Sequence, residues 1–536
     1  MRLSGSYWLA ALALVCAPLG ACASPAPPTA SAGPTTSPPV ETAGADGPHA
    51  PADRVLAPPS AQASADGQST IIDLDLGNVT AGQYAAPVRG VIVTPRQASG
   101  PTPVIVVSHL RAPNCSDQTF AYPCADGATE LRFDRGMTYL GQALASAGYT
   151  VLIPDLGGIF VGSDLTVPYD QHRLWRASVQ QLLEAITRPT AAAELGVERV
   201  APLDLRRVGL VTHSRSGTVV ESAQQLFGPD NLRAVLAYAP AYDTFDLESI
   251  SPAPAAVPYL AVVGLADADV GPSANLWLGH YLGQERQHSA AVVALPGLGH
   301  LLVNPAASAA LGDDRRGCDL MECPDAATHE RVLTEVSLDW LGAHLLGADT
   351  QLPVRAGQEL PATVAGLPAH WLAATPQAAA RLAPADLAAA AAGTAQVCRH
   401  VDPMNPEPVA DACPEPEQGV VQIVTPVAHL TDAIAAVEVA GARGLAVHVA
   451  PAGTDPQGGA ALRVTLTLRD GQEHVVRVPP TDPALRSRAS EHDNGSYQLG
   501  TIRVALPPEV SAGTITQVRL RSDGLPVEVR GVDFWQ

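Results

Sequence analysis

The apolar run Val208-Gly209-Leu210-Val211 passes directly into Thr212-His213-Ser214-Arg215-Ser216-Gly217, and a helical pattern starts at once. A tight strand-to-helix turn holds a serine hydroxyl clear of the backbone and tolerates only small residues two positions to either side. Thr212 and Ser216 meet that need, although glycine is usual at both places. A serine hydroxyl becomes a nucleophile only when a base takes its proton, so a histidine and an acid must be found elsewhere. Both follow in order. The apolar run 259–263 leads into Gly264-Leu265-Ala266-Asp267-Ala268-Asp269-Val270, and the run 291–295 leads into Pro296-Gly297-Leu298-Gly299-His300. Asp267 fits the acid position and Asp269 is the alternative; one of the two is also placed to cap a helix starting near Ser273. Glycines let a loop swing the His300 imidazole over Ser214, while a carboxylate fixes its tautomer. Two competing readings stand beside this one. Ser216 is a rival nucleophile, placed two residues further into the helix, and a serine-rich string is also a good helix N-cap without any catalysis.

Acyl transfer at such a serine needs donors for the developing oxyanion. The Arg215 N–H at the start of the helix is one. The loop Val107-Ser108-His109-Leu110-Arg111 supplies the other through the Arg111 N–H, and His109 there reads as a hydrogen-bonded structural residue rather than a base. Together these strings resemble the α/β-hydrolase family over residues 70–347. The elbow is similar to the Gly-His-Ser-Arg-Gly-Gly of dienelactone hydrolase-like and chlorophyllase-like members, and the acid turn to their Gly-x-x-Asp-x-x-Val. Leu110 stands where the family's oxyanion loop usually has glycine. The resemblance implies a Ser214, Asp267, His300 triad that hydrolyses carboxylic esters through an acyl-enzyme, with no cofactor and no metal. A serine peptidase of the same fold is the alternative, and a non-catalytic surface binding protein is a third reading.

Those residues need a parallel sheet to carry them. Strand-like runs at 71–76, 88–94, 104–107, 150–153, 208–211, 234–238, 259–263 and 291–295 alternate with helical patterns at 138–147, 173–186, 217–226, 274–282 and 328–345. Continuous Val, Leu and Ile in the strands imply burial on both faces, as in a doubly wound, mostly parallel α/β sheet. Gly217 is expected to let its helix pack closely on the preceding strand. The excursion between Arg111 and Arg135, with Phe120 and Tyr122, is placed to wall a substrate site. About twenty residues between the runs ending at 238 and starting at 259 are too few for a multi-helix cap. That predicts an open cleft, suited to small-molecule or polymer-linked esters. From about 418 the hydrophobic period changes to two, and Asp470-Gly471 marks a hairpin, so 418–536 reads as an all-β sandwich of jelly-roll type. Residues 348–417, rich in Ala and Pro, connect the two without a firm assignment. The β unit is a candidate for glycan contact.

At the other end, Arg2 precedes the apolar run 8–19, which closes on Leu19-Gly20-Ala21-Cys22. This resembles a bacterial lipobox, so residues 1–22 are expected to be a lipoprotein leader and Cys22 the lipidated residue that anchors an exported protein to the bacterial membrane. A plain leader cleaved after a small residue such as Ala23 is the competing reading. Residues 23–67, dominated by Ala, Pro, Ser, Thr and Gly, read as a flexible tether, and the catalytic domain spans 68–347. Six further cysteines fall into neighbouring pairs, Cys115 with Cys124, Cys318 with Cys323 and Cys398 with Cys413. In an exported chain they suggest disulfides in that local pairing, and the histidines lie at the wrong spacing for zinc. A formal charge of -21, with arginine but no lysine among its bases, excludes a nucleic-acid-tracking surface.

Overall fold

In the computed structural model, alternate side chains of a single strand serve two different cores. Val104 and Val106 pack on one side of the sheet, Ile105 and Val107 on the other, and all four are fully buried. This is why the strands lack polar alternation: each face of the sheet is covered by helices. The helix Gln171–Thr187 lies on the first side, and Thr138–Ser146 and Ala326–Leu341 lie on the second. The structure describes residues 54–161, 169–242, 257–271, 273–318, 322–391, 393–400, 413, 425–452, 459–486 and 499–536, all within the unit Asp46–Gln536. The leader and Cys22 lie outside the described residues, as does most of the segment 239–258 that is too short for a multi-helix cap.

The central sheet has ten strands. Nine are labelled here: β1 (Ser60–Ala63), β2 (Ser69–Ala81), β3 (Tyr84–Pro95), β4 (Thr102–Ser108), β5 (Thr150–Pro154), β6 (Leu203–His213), β7 (Leu232–Tyr238), β8 (Tyr259–Gly264) and β9 (Ala290–Leu295). Their order is β1-β2-β3-β5-β4-β6-β7-β8-β9. The strands from β5 to β9 run parallel, while β1, β2 and β3 form an antiparallel flank. Because β4 sits between β5 and β6, the chain leaves it in one direction and later returns on the other side. Ligand sites in such sheets form beside that reversal, at the carboxyl ends of the strands.

Three expectations are corrected. The tether expected to reach residue 67 ends sooner, because Ser60–Ala63 adds an edge strand to β2 and Arg54 binds Asp75, Asn78 and Gly77. The unassigned segment around 360–382 supplies the tenth strand of the sheet: His370–Ala373 pairs antiparallel with β9, from His370 opposite Ala294 to Ala373 opposite Ala291. Its short length and single bulky pair, Trp371 and Leu372, hide it from a periodicity reading. Gly217 faces Pro240 and Tyr242 beyond β7 rather than the strand before it; a β-carbon there would stand 2.8 Å from that of Pro240.

The carboxyl-terminal part consists of two antiparallel sheets around their own core of Val447, Val464, Leu466, Val518, Leu520 and Phe534. One face of each strand points inward, as in Ala460–Leu468, where buried and half-buried residues alternate strictly. Strands Ala380–Leu382 and Ala395–His400, from the connecting segment, belong to this sandwich too. All three expected disulfides form, Cys115–Cys124, Cys318–Cys323 and Cys398–Cys413.

Candidate active site

Ser214 is the first residue after β6, and its φ is +60°. A non-glycine residue pays for that conformation with backbone strain, and here the strain places the hydroxyl at the outer corner of a strand-to-helix turn. A 3-10 turn, Ser214–Val219, leads into the helix Val220–Phe227. Ser216 fastens this turn. Its hydroxyl donates to Ser108 O at 2.6 Å and accepts the His213 N–H at 2.9 Å. With its oxygen so engaged and fully buried, Ser216 is a structural residue and not a second nucleophile.

The acid turn follows β8, and the histidine loop follows β9, whose last residues pair Gly264 with Leu295. Asp267 Oδ1 accepts the N–H groups of Asp269 and Val270 at 2.8 and 2.9 Å, which leaves Oδ2 to receive His300 Nδ1 at 3.0 Å. Both side chains are fully buried. Asp269 lies on the opposite side of the ring, 3.4 Å from Nε2, with its side chain 59% exposed. The two aspartates therefore divide one imidazole between them, and Asp267 is the one that fixes the tautomer. Burial pushes the His300 imidazolium down, but the hydrogen bond to Asp267 and the charges of Asp267, Asp269 and Asp314 outweigh it, so its pKa is raised. Burial also raises the Asp269 carboxyl, against the pull of His300.

His213 brings the elbow and the histidine loop together. Its ring centroid lies 4.9 Å from that of His300, and its Nε2–H donates to His300 O at 3.0 Å. Burial first, then the neighbouring His300, keeps this imidazole neutral by pushing its pKa well below the ordinary value. The backbone of the loop is held at further points: Tyr238 donates to Gly299 O at 2.8 Å, and Gly299 N donates to His329 Nε2 at 3.0 Å. Tyr238 and His329 do not stand out in the sequence, since each is an ordinary residue of a strand or helix.

The two expected oxyanion residues lie on the elbow turn and on the loop after β4. Arg215 occupies the first turn of the 3-10 helix that starts at Ser214. Arg111 follows the buried Leu110 on the loop after β4; its Nε donates to Phe160 O at 3.2 Å, and its guanidinium lies 4.0 Å over the Phe120 ring. His109 is structural, as expected: Nδ1–H reaches Leu110 O and Nε2 accepts the Leu156 N–H, each at 2.8 Å. Below it, buried Asp155 is held by Arg89 at 2.6 Å. Burial alone would raise the Asp155 carboxyl, but the charges of Arg89 and Arg132 hold it well below the usual range. Tyr122 departs from expectation. It is buried against Gly158 in the core and not aligned along a wall, whereas Phe120 is partly exposed beside Arg111.

A second hydroxyl, imidazole and carboxylate set lies in the sandwich, where His448 stands 3.0 Å from Thr501 Oγ1 and 3.2 Å from Asp533 Oδ2. Its hydroxyl already accepts the Ala373 N–H at 2.9 Å, and all three residues are buried. It joins strands and offers no access. No group of three or more His, Cys, Asp or Glu suited to a metal occurs among the described residues.

No family model matches the sequence, and no curated protein does. Solved structures give likenesses at low identity. The acylaminoacyl peptidase of Pyrococcus horikoshii matches over 52% of this chain and 43% of its own length, at 12% identity and a TM-score of 0.32. A dienelactone hydrolase-like promiscuous phosphotriesterase from metagenomic libraries matches over 49% of this chain and 93% of its own, at 15% identity and a TM-score of 0.30. The cell wall degrading esterase LipA from Xanthomonas oryzae, in a mutant form, matches over 36% and 52% at 16% identity and 0.25. By its own strand order, with serine, acid and histidine after β6, β8 and β9, this chain has an α/β-hydrolase fold joined to an antiparallel β-sandwich.

Proposed function

We propose that this protein is a serine hydrolase that cleaves carboxylic esters through an acyl-enzyme, exported and held to the bacterial membrane through Cys22. One observation carries the reading: Ser214 sits at φ +60° on a turn whose neighbour, His213, packs against an imidazole already paired with a buried carboxylate. In the reaction, Ser214 Oγ attacks the ester carbonyl as its proton passes to His300 Nε2. Asp267 stabilises the imidazolium through Nδ1. The N–H groups of Arg215 and Arg111 receive the oxyanion, the alkoxide leaves with the proton from His300, and water repeats the sequence to release the acid. Small-molecule and polymer-linked esters both fit this chemistry, and the sandwich is a candidate for contact with a glycan carrying such an ester.

A fluorophosphonate probe should label the wild-type chain, and Ser214→Ala should abolish both labelling and p-nitrophenyl ester turnover while leaving the melting temperature in place. Cleavage of peptide p-nitroanilides in preference to esters would move the assignment to a peptidase. A folded wild type that neither labels nor turns over any ester would end the enzyme reading.

A further inference from the structure

The segment after the helix Pro305–Leu311 crosses both loops that carry the catalytic pair. Asp314 spends its two carboxylate oxygens on consecutive backbone donors of the histidine loop: Oδ2 accepts the His300 N–H at 2.8 Å, and Oδ1 accepts the Leu301 N–H at 2.9 Å. Two residues on, Arg316 turns to the acid loop. Its N–H donates to Ala266 O at 2.9 Å, and its guanidinium reaches Ala268 O at 3.2 Å. Between them, Arg315 lies across Gly299 so closely that a β-carbon there would collide with its aliphatic chain. A β-carbon on Gly297 would stand 2.6 Å from Pro324. The glycines before His300 thus serve less to make the loop flexible than to let this segment lie on it. The disulfide Cys318–Cys323 closes the segment immediately afterwards.

We propose that Asp314 is a positioning residue for His300, the centre of a brace that holds the acid turn and the histidine loop in one register. The proposal rests on the triad reading above. Only a carboxylate offers two acceptor oxygens to two neighbouring N–H groups; an amide offers one acceptor and turns a donor toward the other. The brace also has an electrostatic side. His300 faces Asp267 and Asp269 from the acid turn, His213 from the elbow and Asp314 from the brace, while Arg111 faces Asp269 from the loop after β4. Asp314 is thus one of three negative charges that favour the imidazolium.

The test uses the full chain with Asp314→Ala and Asp314→Asn, each checked for an unchanged melting profile, and a p-nitrophenyl ester. For Asp314→Ala, kcat should fall on the order of 10²-fold, the scale of a small misplacement of a catalytic group. KM should move by less than about twofold, because the variant removes no substrate contact. The midpoint of kcat/KM against pH should shift downward, as the imidazolium loses one stabilising charge. Asp314→Asn should shift the midpoint the same way with a smaller loss of kcat, and it carries the test if the alanine variant does not fold. Hydrogen exchange over 297–304 should quicken in both. Folded variants with unchanged kcat, midpoint and exchange overturn the proposal while the hydrolase reading stands. A wild type inert toward esters and probe overturns both.

Discussion

His300 is pulled by carboxylates at both ring nitrogens, with opposite consequences for stability and for catalysis. Its pKa lies above the unfolded value near 6.5, so its pairing with Asp267 stabilises the fold fully below that value. That contribution fades as pH rises through the folded pKa. In the proposed reaction activity runs the other way, because only a neutral imidazole would take the Ser214 proton. The rise of kcat/KM with pH should therefore have a midpoint above about 6.5. Asp269→Asn should bring it down without abolishing turnover, since Asp267 keeps the tautomer. A pH–rate series on the two proteins decides this, and an unchanged midpoint would show that Asp269 exerts no field at Nε2. The sequence narrows the acid to Asp267 or Asp269 and stops there, because both stand in one turn at almost equal spacing. What separates them is the turn's own hydrogen bonding, which buries Asp267 and leaves Asp269 outward.

Elements, more than residues, were legible in the chain. Each strand of the parallel sheet reads as an apolar run rich in Val, Leu and Ala because it is covered on both faces, and the three proposed catalytic positions follow from what succeeds β6, β8 and β9. The brace was not legible: Asp314 lies in an irregular stretch, Asp313-Asp314-Arg315-Arg316, whose four charges read equally well as solvated surface. Close packing between elements was equally hidden. Gly264 ends β8 where Leu298 of the histidine loop crosses it, and any β-carbon would collide with the Leu298 carbonyl oxygen. Backbone cannot yield as a side chain does, so Gly264→Ala should cost about 1–3 kcal/mol of stability, the range for overpacking a filled core. Its kcat should fall as well, because the collision separates acid and histidine loops. Urea unfolding and ester kinetics on the one variant measure both, and a neutral result in each would mean that the loops accommodate the methyl group.

At the scale of the molecule, the sandwich is docked onto the catalytic body and not strung after it. Arg530 donates from Nε and Nη2 to the Gly279 and His280 carbonyls, both at 3.0 Å, at the end of the helix Ser273–Tyr281 where cations are favoured. Asn275 in the same helix donates to Leu499 O at 3.1 Å. Arg503, whose guanidinium burial pushes down to about 10, donates to Arg355 O and Gln358 O of the connecting segment at 3.0 Å. The connecting segment in turn gives His370–Ala373 to the sheet. A chain ended after Leu346 would leave β9 with a row of unpaired backbone groups, and such an edge pairs readily with another copy. We expect that truncation to be aggregated by size-exclusion chromatography, and the full chain to melt in a single transition; a soluble, monomeric and active truncation would contradict the dependence.

The pairing of His370–Ala373 with β9 also orders events in time. A chain made from its amino end contains Ser214, Asp267 and His300 once 300 residues exist, yet the strand that seals β9 is complete only at 373 of 536. Until then the histidine-bearing strand is a border rather than an interior strand, and a long-range pairing of this kind forms late. The groups of the proposed site are thus all present in the chain well before the strand that closes their sheet, and the sheet beneath them is complete only once residues up to 373 have joined it.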